Sequence, residues 1–202
     1  MKSPAKLKLP RYAEGRVEGF LFPARYDVNK KMTPDQALGQ MVQRFGEETA
    51  GLDLEAKAEA LGITPYQAVI VASLVQAEAR HPEDFGKVSR VIYNRLNSRL
   101  QVERRLEFDS TINYAKNTST LTLTNKQIER FDSPYNTYTH AGLPPTPIGN
   151  PGKAALEAAL SPTPGNWRYF VTVNPKTGET RFTDDYQQFL RWKAEFKRNL
   201  GR

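Results

Sequence analysis

Between Thr64 and Arg80 the chain reads Thr-Pro-Tyr-Gln-Ala-Val-Ile-Val-Ala-Ser-Leu-Val-Gln-Ala-Glu-Ala-Arg, and from Ala68 to Val75 it is apolar apart from Ser73. Such a run has no polar stripe to turn toward water, so a helix made from it must be enclosed by other elements. Thr64 supplies an N-cap and Pro65 suits the first helical position. Glu78 follows Val75, Leu74 and Val71 by three, four and seven residues and shares their face. The spacing points a carboxylate along an apolar stripe.

Around this helix the pattern predicts further helices joined by short links. Thr33 as cap, Pro34, and then Ala37, Leu38, Met41, Val42 and Phe45 give a helix over about 34–49. Leu52 to Leu61 is a shorter one, ended by Gly62. His81-Pro82 breaks the central helix, and Pro82 opens another whose face carries Phe85, Val88, Val91, Ile92, Leu96 and Leu100. The period is lost between Arg99 and Thr124. Asn150-Pro151 reads as cap and first turn of an Ala-rich helix over about 151–160, and an amphipathic helix over about 184–200 carries Tyr186, Phe189, Leu190, Trp192 and Phe196.

Two runs, Arg168–Val173 and Glu179–Thr183, flank Asn174–Gly178 and read as a β-hairpin with a five-residue loop. Glu18–Val28 mixes aromatic and β-branched residues with a proline, as a short or edge strand against the core does. Residues 1–17, basic and proline-interrupted, read as an extended arm ahead of one domain over 18–202. The fold class expected is α+β: mainly helical, with a small antiparallel hairpin.

Charge and composition narrow the chemistry. The 202 residues carry 29 Lys+Arg against 22 Asp+Glu, a net charge of +7, which gives a weak attraction to polyanions. No basic run is interleaved with aromatics and no zinc spacing occurs, so nucleic acid is not an expected partner. The absence of cysteine excludes disulfides, thiolate metal sites and a cysteine nucleophile. His81 and His140 are too few for a multi-histidine metal centre. No apolar run reaches the ~18 residues of a membrane span.

Glu78 has two readings from position alone. It is a buried ion pair or a helix-end carboxylate reaching solvent, or it is a general acid whose pKa desolvation has raised. Glu18 beside its apolar run is a second oddly placed carboxylate, with a salt bridge to a nearby arginine as the plain alternative. Asp109, in Leu106–Tyr114, either caps a helical turn containing Ile112 or serves the site with Glu107. Ser133, Tyr135, Asn136, Thr137 and Tyr138 run into Gly142–Gly152, a loop stiffened by prolines and able to hold its side chains in place before a ligand arrives. Tyrosine faces suit the C–H side of a sugar ring, and hydroxyls and amides suit its polar groups. Together these describe a plausible glycan-cleaving cleft.

Six blocks carry a family resemblance: Glu18-Gly-Phe-Leu-Phe-Pro23, Ala72-Ser-Leu-Val-Gln-Ala-Glu78, Val91-Ile-Tyr-Asn-Arg-Leu96, Leu106-Glu-Phe-Asp-Ser-Thr-Ile-Asn-Tyr114, Ser133-Pro-Tyr-Asn-Thr-Tyr138 and Gly142–Gly152. In this order they resemble the endolytic murein transglycosylases (MltG, YceG-like). The resemblance covers roughly 11–190. It implies a lyase that cuts peptidoglycan glycan strands internally between MurNAc and GlcNAc and leaves a 1,6-anhydro-MurNAc end, so limiting strand length. It places the catalytic glutamate at Glu78. It also implies substrate contacts from the blocks holding Glu18, Asn94, Glu107, Asp109, Ser133, Tyr135, Asn136, Thr137, Tyr138 and Asn150. No cofactor or metal is implied.

The resemblance further implies a membrane-anchored enzyme with a short cytoplasmic tail, one transmembrane helix and a LysM-like module ahead of an extracytoplasmic catalytic domain. On that reading this chain is a fragment starting just before the catalytic blocks. The expected partners are glycan strands, with peptidoglycan synthases and division or elongation proteins nearby. Glu107 departs from the Gln usual in its block and is expected near Glu78, where it would raise one carboxyl's pKa or support a water. Thr180 and Phe189 stand where histidines are often found. A two-carboxylate muramidase using Glu78 with Glu107 or Asp109, and a non-catalytic wall-binding or division scaffold, are the alternatives. A pyridoxal-phosphate lyase, a label also attached to such sequences, finds no convincing lysine.

Overall fold

A computed structural model describes residues 7–120 and 123–201. Its helices are α1 (Pro34–Thr49), α2 (Leu54–Ala60), α3 (Pro65–Glu78), α4 (Pro82–Leu96), α5 (Asp109–Lys116), α6 (Asn125–Glu129), α7 (Lys153–Leu160) and α8 (Tyr186–Leu200), with strands β1 (Tyr169–Asn174) and β2 (Glu179–Thr183) ahead of α8. This is the expected α+β class.

α3 is the hub. Every residue from Ala68 to Val75 is buried, and α2, α4, α5 and α7 pack around the helix. Three helices open on the same sequence signal, a threonine cap with glutamine three residues on: Thr33/Gln36, Thr64/Gln67 and Thr124/Gln127 each form a reciprocal capping box. α3 stops at Glu78 because Ala79 and His81 are extended, the latter as the residue before Pro82 is biased to be. No single described helix is long and apolar enough to cross a membrane, and α2 with α3, which together have the composition, are bent by 88°.

β1 and β2 pair antiparallel in the register Tyr169↔Thr183 to Asn174↔Glu179, with one irregularity between Thr172 and Asn174. The turn is therefore the four residues 175–178, one fewer than expected. α8 covers β1: Asn199 Nδ2 donates to Val173 O at 2.7 Å and Phe189 stacks on Tyr169 with ring centroids 5.0 Å apart.

Several sequence expectations are corrected. Glu18–Val28 is not a strand: Gly19 takes φ +92°, and the Gly19 and Leu21 amides donate to Asn150 Oδ1 at 2.8 and 3.0 Å instead of to a ladder. A Cβ on Gly19 would come within 2.6 Å of Pro147 and 2.9 Å of Val69, so this loop lies hard against α3 and the proline-rich segment. Of the expected arm, residues 1–6 lie outside the described residues; the rest folds back, with a 3-10 turn at Arg11–Ala13 and Leu7 and Ala13 buried. Leu100 lies beyond α4 and is exposed. Asn150 does not cap α7, whose N-cap is Gly152.

Candidate active site

Glu78 ends α3, its carboxyl enclosed although part of the residue stays accessible. The first turn of α5 faces it. Ser110 Oγ donates to Glu78 Oε1, and Asp109, one residue earlier, brings a second carboxylate close by. Desolvation pushes the Glu78 pKa up to about 7, the Asp109 charge adds to the rise, and the Ser110 hydrogen bonds oppose it. A carboxyl raised this far can both hold and release a proton near neutrality, the condition a general acid needs.

Asp109 does not cap its helix; the N-cap, Phe108, makes no side-chain cap. Its carboxylate accepts from Tyr138 Oη at 2.6 Å and from Leu123 N at 3.4 Å. Burial, followed by the bond to Asp109, raises the Tyr138 pKa, so the phenol stays a donor.

Thr137 sets where α5 begins. It is buried, its carbonyl accepts from Glu107 N at 3.1 Å and its Oγ1 from Phe108 N at 3.0 Å. This double grip holds Glu107 at φ +58°, a left-handed conformation costly for a non-glycine residue. Leu106 and Phe108 are thereby buried while the Glu107 side chain is 42% exposed and lies 3.5 Å from Arg95. Glu107 was expected to perturb Glu78; the carboxylate that does so is Asp109.

A second cluster lies further along α5. Tyr114, four residues after Ser110 and on the same face, meets Tyr135 with ring centroids 5.4 Å apart, and Tyr135 Oη shares a 2.7 Å hydrogen bond with Thr146 Oγ1. The charge of Glu18 bears on Tyr114. Glu18 is half-buried, which raises its pKa, and it accepts from Asn150 Nδ2 at 3.3 Å rather than forming the salt bridge considered from sequence. The stiff loop is tied to α3 twice: Ile148 N donates to Ser73 Oγ at 3.1 Å and Gly152 N to Gln76 Oε1 at 3.2 Å.

Glu78, Asp109 and Tyr138 thus come together, as do Glu18 and Asn150, with Tyr135 reached from Glu18 through Tyr114. Others are occupied elsewhere. Asn136 is fully buried, its amide donating to the carbonyls of Ile128 and Phe131 at 2.9 Å and its Oδ1 accepting from Tyr138 N at 3.1 Å. Ser133 Oγ accepts from Tyr135 N at 3.3 Å within the same turn. Asn94 donates to Gly165 O and Trp167 O, tying α4 to the approach of β1. These side chains are spent on backbone groups. Ser110, Tyr114 and Thr146 were missed from sequence; Ser110 stands next to Asp109 in a block already singled out, and its hydroxyl was the available signal.

Arg80 and His81, directly beyond Glu78, grip the hairpin turn. Arg80 donates to Pro175 O and Lys176 O at 3.2 and 2.9 Å, and His81 Nε2 lies 2.7 Å from Thr177 O. A recess of about 850 Å³ lies apart from all of this, between Leu7–Lys8, Asn29–Met32 and α1. Its walls are amides, lysines, glycines and the apolar Leu7, Met32 and Val42, without a carboxylate.

Known proteins match this chain in sequence and fold. The profile of the YceG-like family matches residues 2–195. The chain belongs to that family. It is 32% identical over 182 residues to an endolytic murein transglycosylase of Bacillus subtilis, covering 89% of this chain and 48% of that protein. To the endolytic murein transglycosylase of Streptococcus pneumoniae serotype 2 it is 28% identical over 199 residues, 95% of this chain and 34% of that one. The crystal structure of a yceG-like protein from Listeria monocytogenes superposes with a TM-score of 0.76 at 31% identity, over 87% of this chain and 55% of that one. The chain spans about half the length, or less, of these relatives.

Proposed function

We propose that this chain is the catalytic part of an endolytic peptidoglycan lytic transglycosylase with Glu78 as its acid and base. The single observation that carries the reading is the enclosed Glu78 carboxyl at the end of α3, facing Ser110 and Asp109 in a setting that raises its pKa. As acid it protonates the glycosidic oxygen between MurNAc and GlcNAc. As carboxylate it then takes the proton from the MurNAc C6 hydroxyl, whose oxygen closes on C1 to give the 1,6-anhydro end. The nucleophile belongs to the substrate, so no water is activated and no second carboxylate is required. Tyr114, Tyr135 and Glu18 extend the surface along which the strand lies, with rings to stack on and a carboxyl to bond sugar hydroxyls.

On this reading the enzyme works outside the cytoplasmic membrane, held there by an N-terminal helix, beside peptidoglycan synthases and division or elongation proteins. Incubating purified glycan strands with the chain and with Glu78→Gln, then sizing the products by chromatography, tests the cut. Loss of long strands into intermediate lengths with wild type alone supports internal cleavage at this site; single disaccharides released from strand ends, or no difference between the two proteins, counts against it.

A further inference from the structure

The C-terminal end of α5 and helix α6 border an open surface pocket of about 340 Å³ lined by Lys116, Thr124, Lys126, Gln127, Arg130 and Phe131. Three of the six carry positive charge. The Lys116 ammonium lies 5.5 Å from the centre of the Phe131 ring, and among the described residues none of the three cations is held in an ion pair. Glu129 and Asp132 are neighbours in sequence but exposed and outside the lining. The pocket therefore offers an anion uncompensated positive charge, with Arg130 able to bind a carboxylate through two parallel N–H groups.

One of its walls is tied to Asp109, the carboxylate beside Glu78. Leu123, next to Thr124, donates its amide to Asp109, and the buried Asn136 holds the carbonyls of Ile128 and Phe131 at both ends of the turn bearing Arg130. Lys116 is six residues beyond Ser110 on α5, about 9 Å along the axis at ~1.5 Å per residue. Six residues also turn the helix by about 240°, so Lys116 leaves a different side of α5 from Ser110. A stem of about four or five residues at roughly 3.3 Å each supplies reach beyond the axial rise.

We propose that this pocket binds a carboxylate of the peptide stem carried by the glycan strand lying at Glu78. The inference rests on the peptidoglycan reading above. It makes stem charge a determinant of where along a strand the enzyme cuts, with the sugar read at Glu78 and the stem read at the end of α5.

The test compares strands with native stems and the same strands with stem carboxylates converted to amides, cut by wild type and by the Lys116→Ala/Lys126→Ala/Arg130→Ala variant. On native strands the variant's KM rises about tenfold, the sum of three solvated charge contacts, with kcat within about twofold. On amidated strands the two proteins have the same KM. An unchanged KM on native strands, or an equal rise on both substrates, overturns the proposal.

Titrating isolated stem tetrapeptide into 15N-labelled Glu78→Gln separates failure of this proposal from failure of the function. Amide shifts at Lys116 and Thr124–Phe131, lost with the amidated peptide, support the pocket even if wild type cuts neither strand. No shift overturns it, and equal shifts with inorganic phosphate at the same concentration reassign it to anions in general and overturn the stem.

Discussion

The Tyr138 hydroxyl donates to Asp109 at 2.6 Å, fixing a negative charge where it opposes ionisation of Glu78. Ser110 acts on the same carboxyl in the opposite sense, since its hydroxyl hydrogen-bonds the charged form. Two neighbours on one helical turn thus tune one acid from both sides.

These opposed effects give a paired prediction for the pH profile. A general acid must be protonated, so activity falls as pH rises through the Glu78 pKa. Asp109→Asn removes a charge that raises that pKa, and the alkaline limb of kcat/KM moves to lower pH. Ser110→Ala removes a hydrogen bond that lowers it, and the limb moves to higher pH. Initial rates from pH 5 to 9 on one strand preparation measure both.

The same shift has a cost in stability. The folded-state pKa of Glu78, about 7, is above the ordinary value of 4.5, so the native state binds more protons than the unfolded state between those pH values. Stability from this group is full below about pH 4.5 and declines up to about pH 7. Glu78→Gln, which never ionises, should be more stable than wild type by roughly 3 kcal/mol at pH 8 and nearly equal at pH 4. Urea unfolding at the two pH values checks it; an inactive variant that gains stability only at alkaline pH is expected.

The hairpin turn should matter for turnover. Gly178 has φ +84°, and a Cβ there would stand 2.6 Å from His81 Nε2 and 2.7 Å from Arg80 Cδ. Gly178→Ala should cost about 1–3 kcal/mol from backbone strain and the displaced grip. Because the grip lies two residues beyond Glu78, kcat should drop with little change in KM. Arg80→Ala is the milder version and should move kcat in the same direction.

Asn150 and Asn136 both hold the framework together. Asn150→Ala leaves the Gly19 and Leu21 amides without their acceptor and frees Glu18, for a loss of about 2–4 kcal/mol. Asn136→Ala strands two carbonyls and the Tyr138 amide in a fully buried place, and should lower stability by about 3 kcal/mol. Thermal unfolding distinguishes this from a ligand contact, which would raise KM and leave the melting temperature in place.

Much of this was legible because the signals are local. The caps at Thr33 and Thr64, the apolar run of α3 and the hairpin around Asn174–Gly178 each report their own neighbourhood, and Thr124 with Gln127 was readable by the same rule. The Glu18–Val28 loop was not, because what diverts it from a strand is Asn150, 131 residues away from Gly19. Nor could residue type tell a sugar-binding amide from a buried one: Asn136 and Thr137 look like ligands for glycan, yet both are spent on backbone groups. Between the neighbouring acids Glu107 and Asp109, the left-handed turn imposed by Thr137 decides which one joins Glu78, and that turn has no sequence signature of its own.

The most direct test of a single-carboxylate lyase is mass spectrometry of the new strand ends made by wild type and by Glu78→Gln. The account predicts 1,6-anhydro-MurNAc ends with wild type and none with the variant. Reducing MurNAc ends that depend on Glu78 would contradict it, since they require an activated water and would give Asp109 the role of base.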